Sequence, residues 1–215
     1  MTERSSRDAG QAFPIYIVMV AGLLFLAFAF FVVGQASATR NGAQGAADAA
    51  ALAAAQDARK DLGIPLLQAL REPNGLNEFL AGYQYFQAGS SEAYRLANDN
   101  RSDVIEFGWH EGYWQDKVTA RVKTRYTVGD SVVPGTENTH ATATATAVIK
   151  FRCSTRVQGL PDPAAGGDGD DKGEEVDLPI LTLDCGGLEV PIDLGDSDLA
   201  SSLGKLLFDV QLIDD

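Results

Sequence analysis

Cys153 and Cys185 are the only cysteines in the 215-residue chain, and the chemistry open to them as a pair is a disulfide. Each ends a run of residues that reads as a strand, and an acidic, glycine-rich stretch lies between them. Disulfides persist outside the cytoplasm, and closing such a loop contributes roughly 3–4 kcal/mol on loop-entropy arithmetic. The other reading is two unrelated buried thiols. His110 and His140 are the only histidines. One falls in a turn and one opens a strand, and no Cys/His spacing suits zinc. The run Asp168-Gly169-Asp170-Asp171-Lys172-Gly173 invites a calcium reading. An EF-hand loop, however, needs an oxygen ligand at its fifth position and a glutamate at its twelfth. Counted from Asp168, those places hold Lys172 and Pro179, so a solvated acidic loop is the simpler reading. The Gly-x-Ser-x-Gly elbow, the P-loop and a paired Cys–His motif are all absent. The residues therefore predict no catalytic set, no metal, no cofactor and no enzymatic activity.

One concentrated positive feature remains. Tyr113–Val128 alternates, with Val118, Ala120, Val122, Thr124 and Tyr126 on one side and Lys117, Thr119, Arg121, Lys123 and Arg125 on the other. That pattern belongs to an antiparallel strand with one wet face. Lys117, Arg121, Lys123 and Arg125 are either a solvated strand face or a contact for an acidic partner. Asp103–Trp109 and Thr139–Arg152 read as strands on either side of it, giving a three-stranded meander. Upstream, Leu76, Phe79, Leu80 and Tyr83 fall on one helix face after the turn signal Pro73-Asn74-Gly75. Ser90 or Ser91 is placed to cap a short helix ending at Asn98. Downstream, Leu178–Leu183 and Leu188–Ile192 suggest strands, Asp198 caps a helix through Leu207, and Phe208–Ile213 forms a last strand. In that helix Leu199, Leu203, Leu206 and Leu207 share one side.

What positions all of this is the N-terminal third. No charge occurs between Asp8 and Arg40, and Ala12–Val33 is an unbroken apolar and aromatic run of 22 residues. As a helix it is roughly 33 Å long, enough for a bilayer core of ~30 Å. A cleaved secretory signal cut near Ala36-Ser37-Ala38 is the alternative, but such signals carry apolar regions of only ~7–15 residues, and the helical pattern runs on through that site. Residues 43–58 hold ten alanines, and no proline interrupts from Ile15 to Ile64. One helix of about 45–50 residues follows, half spanning and half projecting. Its i+4 row of Gly34, Ala38, Gly42, Ala46, Ala50, Ala54 and Ala58 is entirely small. Such a row suits helix–helix packing in a membrane, although so many alanines also produce one by chance.

Asp8-Ala9-Gly10-Gln11-Ala12, the single span, and then Arg40-Asn41-Gly42-Ala43-Gln44-Gly45-Ala46-Ala47-Asp48-Ala49-Ala50-Ala51-Leu52-Ala53-Ala54-Ala55 together resemble the TadE/TadG-like proteins of tight-adherence (Flp) pilus systems, with an actinobacterial flavour. The resemblance covers residues 8–58. It implies a bitopic envelope protein with a minor-pilin or assembly role. Members with a prepilin-type site carry a glutamate five residues after the cleavage glycine. Counted from Gly10 that position is Ile15, which speaks against prepilin-peptidase processing.

The expected fold class is α+β: a long transmembrane and stalk helix, short helices, an antiparallel β-meander and an acidic disordered linker. The expected divisions are a cytoplasmic N-terminus (1–11), a transmembrane helix (12–34), an alanine-rich stalk (35–63), extracytoplasmic helices and meander (64–157), the linker (158–177) and an acidic segment docked on the meander (178–215). Residues 153–215 carry 3 basic and 15 acidic side chains, net −12 of the chain's −13, so nucleic acid is excluded as a partner. The expected partners are membrane lipid and other pilus-assembly or envelope proteins, met through Gly34, Ala38, Gly42 and Ala46. The alternative is a membrane-anchored extracytoplasmic binding module unrelated to pili.

Overall fold

A computed structural model describes residues 12–82, 88–112, 115–129, 135–155, 180–194 and 199–214. Helix α1 runs without a break from Ala12 to Asp61, 50 residues, as the uninterrupted alanine-rich sequence predicts. Its two halves differ in environment. From Phe13 to Val33, fifteen large apolar side chains are each more than half exposed, from 52% at Val20 and Leu26 to 75% at Phe30. From Ala43 onward one face is fully covered: Ala43, Ala46, Ala47, Ala50, Ala51, Ala54, Ala55, Ala58 and Leu62 are all buried. Those positions recur at three- and four-residue steps, the stripe of a helix lying on a core.

The alanine-rich half is therefore not a free stalk. It is the central helix of the folded domain. A four-stranded antiparallel sheet packs on it, in the order β1 (Ser102–His110), β2 (Gln115–Thr127), β3 (His140–Phe151) and β7 (Phe208–Ile213). The inner faces of these strands are also small, with Val118, Ala120 and Val122 on β2 and Ala145 and Ala147 on β3 in the buried cluster. Small side chains on both sides let the helix and sheet backbones approach closely, and the interior stays filled. The meander appears as expected. What the local pattern does not reveal is that the C-terminal strand β7 joins it, pairing Phe208 with Phe151 and Leu212 with Ala147.

Irregularities in the ladder are satisfied locally. Register shifts once in β1 between Val104 and Glu106 and once in β2 between Lys123 and Thr127. At the second, Thr124 Oγ1 accepts from the Ala141 amide and donates to the Tyr126 carbonyl, so the bulge leaves few backbone groups without partners.

Short helices cover α1 on its other sides. Helix α4 (Ser90–Asp99) packs along it, preceded by Gly89. Neither Ser90 nor Ser91 caps α4 with its side chain; the N-cap is Gly89, at φ 70°. A Cβ at Gly89 would run into the backbone of Ala54, so the close approach of α4 to α1 requires glycine at a position that also needs a left-handed backbone. Trp109 of β1 donates from its indole nitrogen to the Ala88 carbonyl at 3.0 Å and closes this corner. Helices α2 (Gly63–Ala69) and α3 (Gly75–Gly82) follow the end of α1.

The C-terminal part docks at the same end. Strands β4 (Ser154–Thr155), β5 (Ile180–Asp184) and β6 (Glu189–Asp193) form a small second sheet, with Pro191 on its edge strand where no amide is needed. Helix α5 (Ala200–Leu207) buries Leu203 and Leu207, while Leu206 stays 36% exposed. Its approach depends on two glycines. A Cβ at Gly63 would meet the Ala200 carbonyl, and one at Gly204 would meet the Arg59 carbonyl. Arg152 donates through Nε and Nη2 to the Leu206 carbonyl at 2.8 and 2.6 Å, capping the end of α5 with a cation. Cys153 and Cys185 form a disulfide across 32 residues of sequence. It ties the end of β3 to the β5–β6 hairpin. The acidic linker, the Asp198 cap and the N-terminal residues 1–11 lie outside the described residues.

Two outcomes follow for stability. Gly63→Val forces α5 off the α1–α2 corner and lowers stability by about 1–3 kcal/mol. Gly45→Ala faces open space and raises it by up to about 1 kcal/mol. Urea unfolding of the chain in detergent, followed by circular dichroism, separates the two. Non-reducing peptide mapping of envelope-derived protein yields Cys153 linked to Cys185, and replacing both with alanine costs about 3–4 kcal/mol on loop-entropy arithmetic.

Candidate assembly surfaces

The small row on α1 is divided by the fold. Gly34 and Ala38 are exposed, with nothing within 4 Å of where a Gly34 Cβ would stand. Gly42 is half-buried beneath the Tyr126 hydroxyl, which leaves no room for a Cβ there, and Ala46 is fully buried against the chain's own core. Ala50, Ala54 and Ala58 are likewise taken up internally. Of the four positions expected to meet another helix, Gly42 and Ala46 instead serve the intramolecular helix–sheet contact. The physical reason is the same in both settings, since small side chains permit close backbone approach whatever the partner. The sequence pattern alone cannot say which partner takes the face.

The basic strand residues lie on the sheet face turned away from α1, and all four are exposed. Two are engaged by neighbours on β1. Arg125 Nη2 stands 2.6 Å from Asp103 Oδ1 and its Nη1 donates to Asn98 Oδ1 at 2.5 Å, while Arg121 lies 3.6 Å from Glu106. Among the described residues Lys117 and Lys123 make no ion pair. The Arg125 guanidinium hydrogen-bonded to Asp103 holds that carboxyl below its ordinary value, and Asp103 in turn raises Arg125. On α4, Arg95 hydrogen-bonds Glu92 and Asp99 and holds Glu92 down in the same way. A carboxyl with a lowered folded value supports stability at pH above its unfolded value, and that support is lost as pH falls through the folded one. These side chains are on the surface, from half-buried Glu92 to exposed Arg95, so the pairs orient side chains more than they hold the fold.

The histidines are not brought together. His140 opens β3 opposite Thr127 and its Nδ1 donates to the Thr124 carbonyl at 2.7 Å, a structural role beside the bulge. His110 ends β1 opposite Lys117 and is exposed. Among the described residues no group of three or more His, Cys, Asp or Glu side chains is placed to hold a metal ion. The acidic run from Asp168 lies outside them. Near the disulfide, Lys150, Cys153, Asp184 and Asp209 border an open cleft of about 690 Å³. The two sulfurs there are bridged to each other and are not free thiols.

Most of the exposed large apolar side chains among the described residues lie on the first half of α1. It is the one helix among the described residues long and apolar enough to cross a membrane, and its most apolar window has no residue buried by protein. A core helix of a soluble domain would have that face covered, as the second half of α1 does.

No curated protein and no solved structure matches the chain. The match to known proteins is at the level of a family model: residues 10–57 fit the one described as putative Flp pilus-assembly TadE/G-like, and the matched stretch takes in both the exposed apolar half of α1 and most of the alanine face that the sheet packs on.

Proposed function

We infer that the protein is a single-pass membrane component with a structural or assembly role in a tight-adherence-like pilus or secretion apparatus. Its N-terminus is cytoplasmic and its α+β domain extracytoplasmic. The observation that carries this reading is the two-sided character of α1. One unbroken helix has an apolar half that no protein covers and a second half that is the core of its own domain. In water the exposed half is costly, whereas in lipid its Leu, Ile, Phe and Val side chains each favour insertion by ~0.3–0.6 kcal/mol near the helix centre. Its backbone groups are paired within the helix, as a lipid environment requires. The family match over residues 10–57 supports an assembly role, and the disulfide supports an oxidising compartment for the domain.

Because the same helix enters both membrane and domain, any neighbour that grips it in lipid also fixes the domain's position. Gly34 and Ala38 are the members of the small row that the fold leaves exposed, and they sit at the end of the span. We assign them as the packing surface for a partner helix. The polar sheet face supports a second reading, an anchored module that binds an envelope ligand without a pilus.

A C-terminal fusion to a phosphatase that matures only outside the cytoplasm is active in cells; silence there, with an active cytoplasmic reporter, reverses the topology. Gly34→Leu with Ala38→Leu lowers co-purification of membrane partners severalfold to roughly tenfold, equally at low and high salt, because packing in lipid does not depend on ionic strength. Unchanged partners in that variant reject the helix as the assembly surface and favour the sheet.

A further inference from the structure

The way the domain meets the end of the span carries one more inference. Measured along α1 from Phe13, a hydrocarbon core of ~30 Å ends near Val33 at ~1.5 Å per residue. Arg40 follows about 10 Å later. Protein covers α1 almost down to that boundary: Val32 and Gln35 are half-buried and Thr39 is buried, on the face that continues into Ala43 and Ala46. One face of α1 is thus covered from the end of the apolar run onward, while Gly34, Ala36, Ser37 and Ala38 on its other side stay exposed.

The sheet end nearest the span can be located from its contacts with α1. Gln44 Nε2 donates to the Thr144 carbonyl, and the Tyr126 hydroxyl lies on Gly42. Thr142, two residues back along β3 and so about 7 Å nearer the membrane, is paired with Lys123, which is itself paired with Asp103. Arg101 and Arg125 come just beyond, joined by the hydrogen bond from the Arg125 amide to the Arg101 carbonyl. Arg101 holds its guanidinium 4.9 Å from the centre of the Tyr126 ring, from a backbone at φ 52°. Counted from Val33, Arg40 stands about 10 Å along α1 and Gly42, under Tyr126, about 13 Å. A headgroup layer of ~5–7 Å and a Debye length of ~8 Å together cover that distance.

Among the described residues the charge at this rim is positive by a small margin: Arg40, Arg101 and Lys123 stand against Glu137 and one of the two acids that share Arg95. Asp103 is neutralised by Arg125, and Asp99 shares Arg95 with Glu92. Glu137, beside the end of β3, accepts from the Gly135 amide and stays uncompensated. Arg40, Arg101 and Lys123 carry no salt bridge among the described residues. Most of the chain's negative charge lies in residues 153–215. Asp184, Glu189, Asp193 and Asp209 belong to β5, β6 and the start of β7, around the far end of β3 from the rim, whereas Asp214 follows β7 and borders a cleft with Asp48, Gln44 and Thr144.

We propose that this rim (Arg40, Arg101 and Lys123) docks on anionic lipid headgroups of the leaflet from which the domain emerges, holding the acidic β5–β6 end away from the membrane. The proposal rests on the reading of Ala12–Val33 as a membrane span. Each basic residue near an anionic surface shifts such a docking equilibrium about fivefold.

The test uses the full chain in vesicles of phosphatidylcholine alone or mixed with phosphatidylglycerol. A fluorophore placed at Asn138 through an unnatural amino acid reads headgroup proximity by quenching from a headgroup nitroxide. A second label at Phe25 reads the span by an acyl-chain nitroxide. Quenching at Asn138 is expected to be stronger with phosphatidylglycerol and to fall as salt rises towards ~1 M, where the Debye length is ~3 Å. Arg101→Glu with Lys123→Glu returns it to the phosphatidylcholine level. Arg40→Glu, on an exposed helix surface, weakens it without touching the Tyr126 contact. Equal quenching in both lipids, or a phosphatidylglycerol effect that survives both variants, overturns the rim while Phe25 remains quenched. Loss of quenching at Phe25 overturns the span and the rim with it.

Discussion

The close approach of α1 to its sheet is the contact on which the rest of the structure depends. Eight alanines from Ala43 to Ala58 present a flat, narrow face, and β2 and β3 answer with valine and alanine. Each methyl buries little area, so no single side chain anchors the domain in the way a buried aromatic would. The stabilisation comes from many small contacts at close range. Such a design tolerates enlargement poorly, because added volume at any point separates the two backbones along their length. The same requirement explains glycine at Gly42 under Tyr126 and at Gly89 against Ala54.

The C-terminal third acts as a clasp on this arrangement. It passes through a disulfide at Cys153 and Cys185, packs α5 on the α1–α2 corner through Gly63 and Gly204, and returns to complete the sheet with β7. These contacts have high sequence separation, so the chain bears a large loop-closure entropy before they form. The disulfide removes part of that entropy from the unfolded state. Arg152 links the two systems, since its amide and its guanidinium both reach carbonyls at the end of α5.

A helix that is core at one end and uncovered and apolar at the other makes a rigid unit of its two halves. Rotation or tilt of the span is transmitted to the sheet without a hinge, because no proline or break intervenes along α1.

Much of this was legible in the residues. Local rules sufficed for the unbroken length of α1, for the 22-residue apolar run and for the alternation of β2 and β3, because helix propensity, hydropathy and period-two patterning act over short stretches of chain. Pairing the only two cysteines needed little more. The fate of the alanine face lay beyond sequence. Gly34 and Ala38 are identical in type to Gly42 and Ala46, yet the first pair is exposed and the second serves the domain core. That division is set by where the sheet ends along the helix. The return of Phe208–Ile213 to β3 and the seating of Arg101 over Tyr126 were decided in the same way, by long-range packing that joins segments with no local signal for one another.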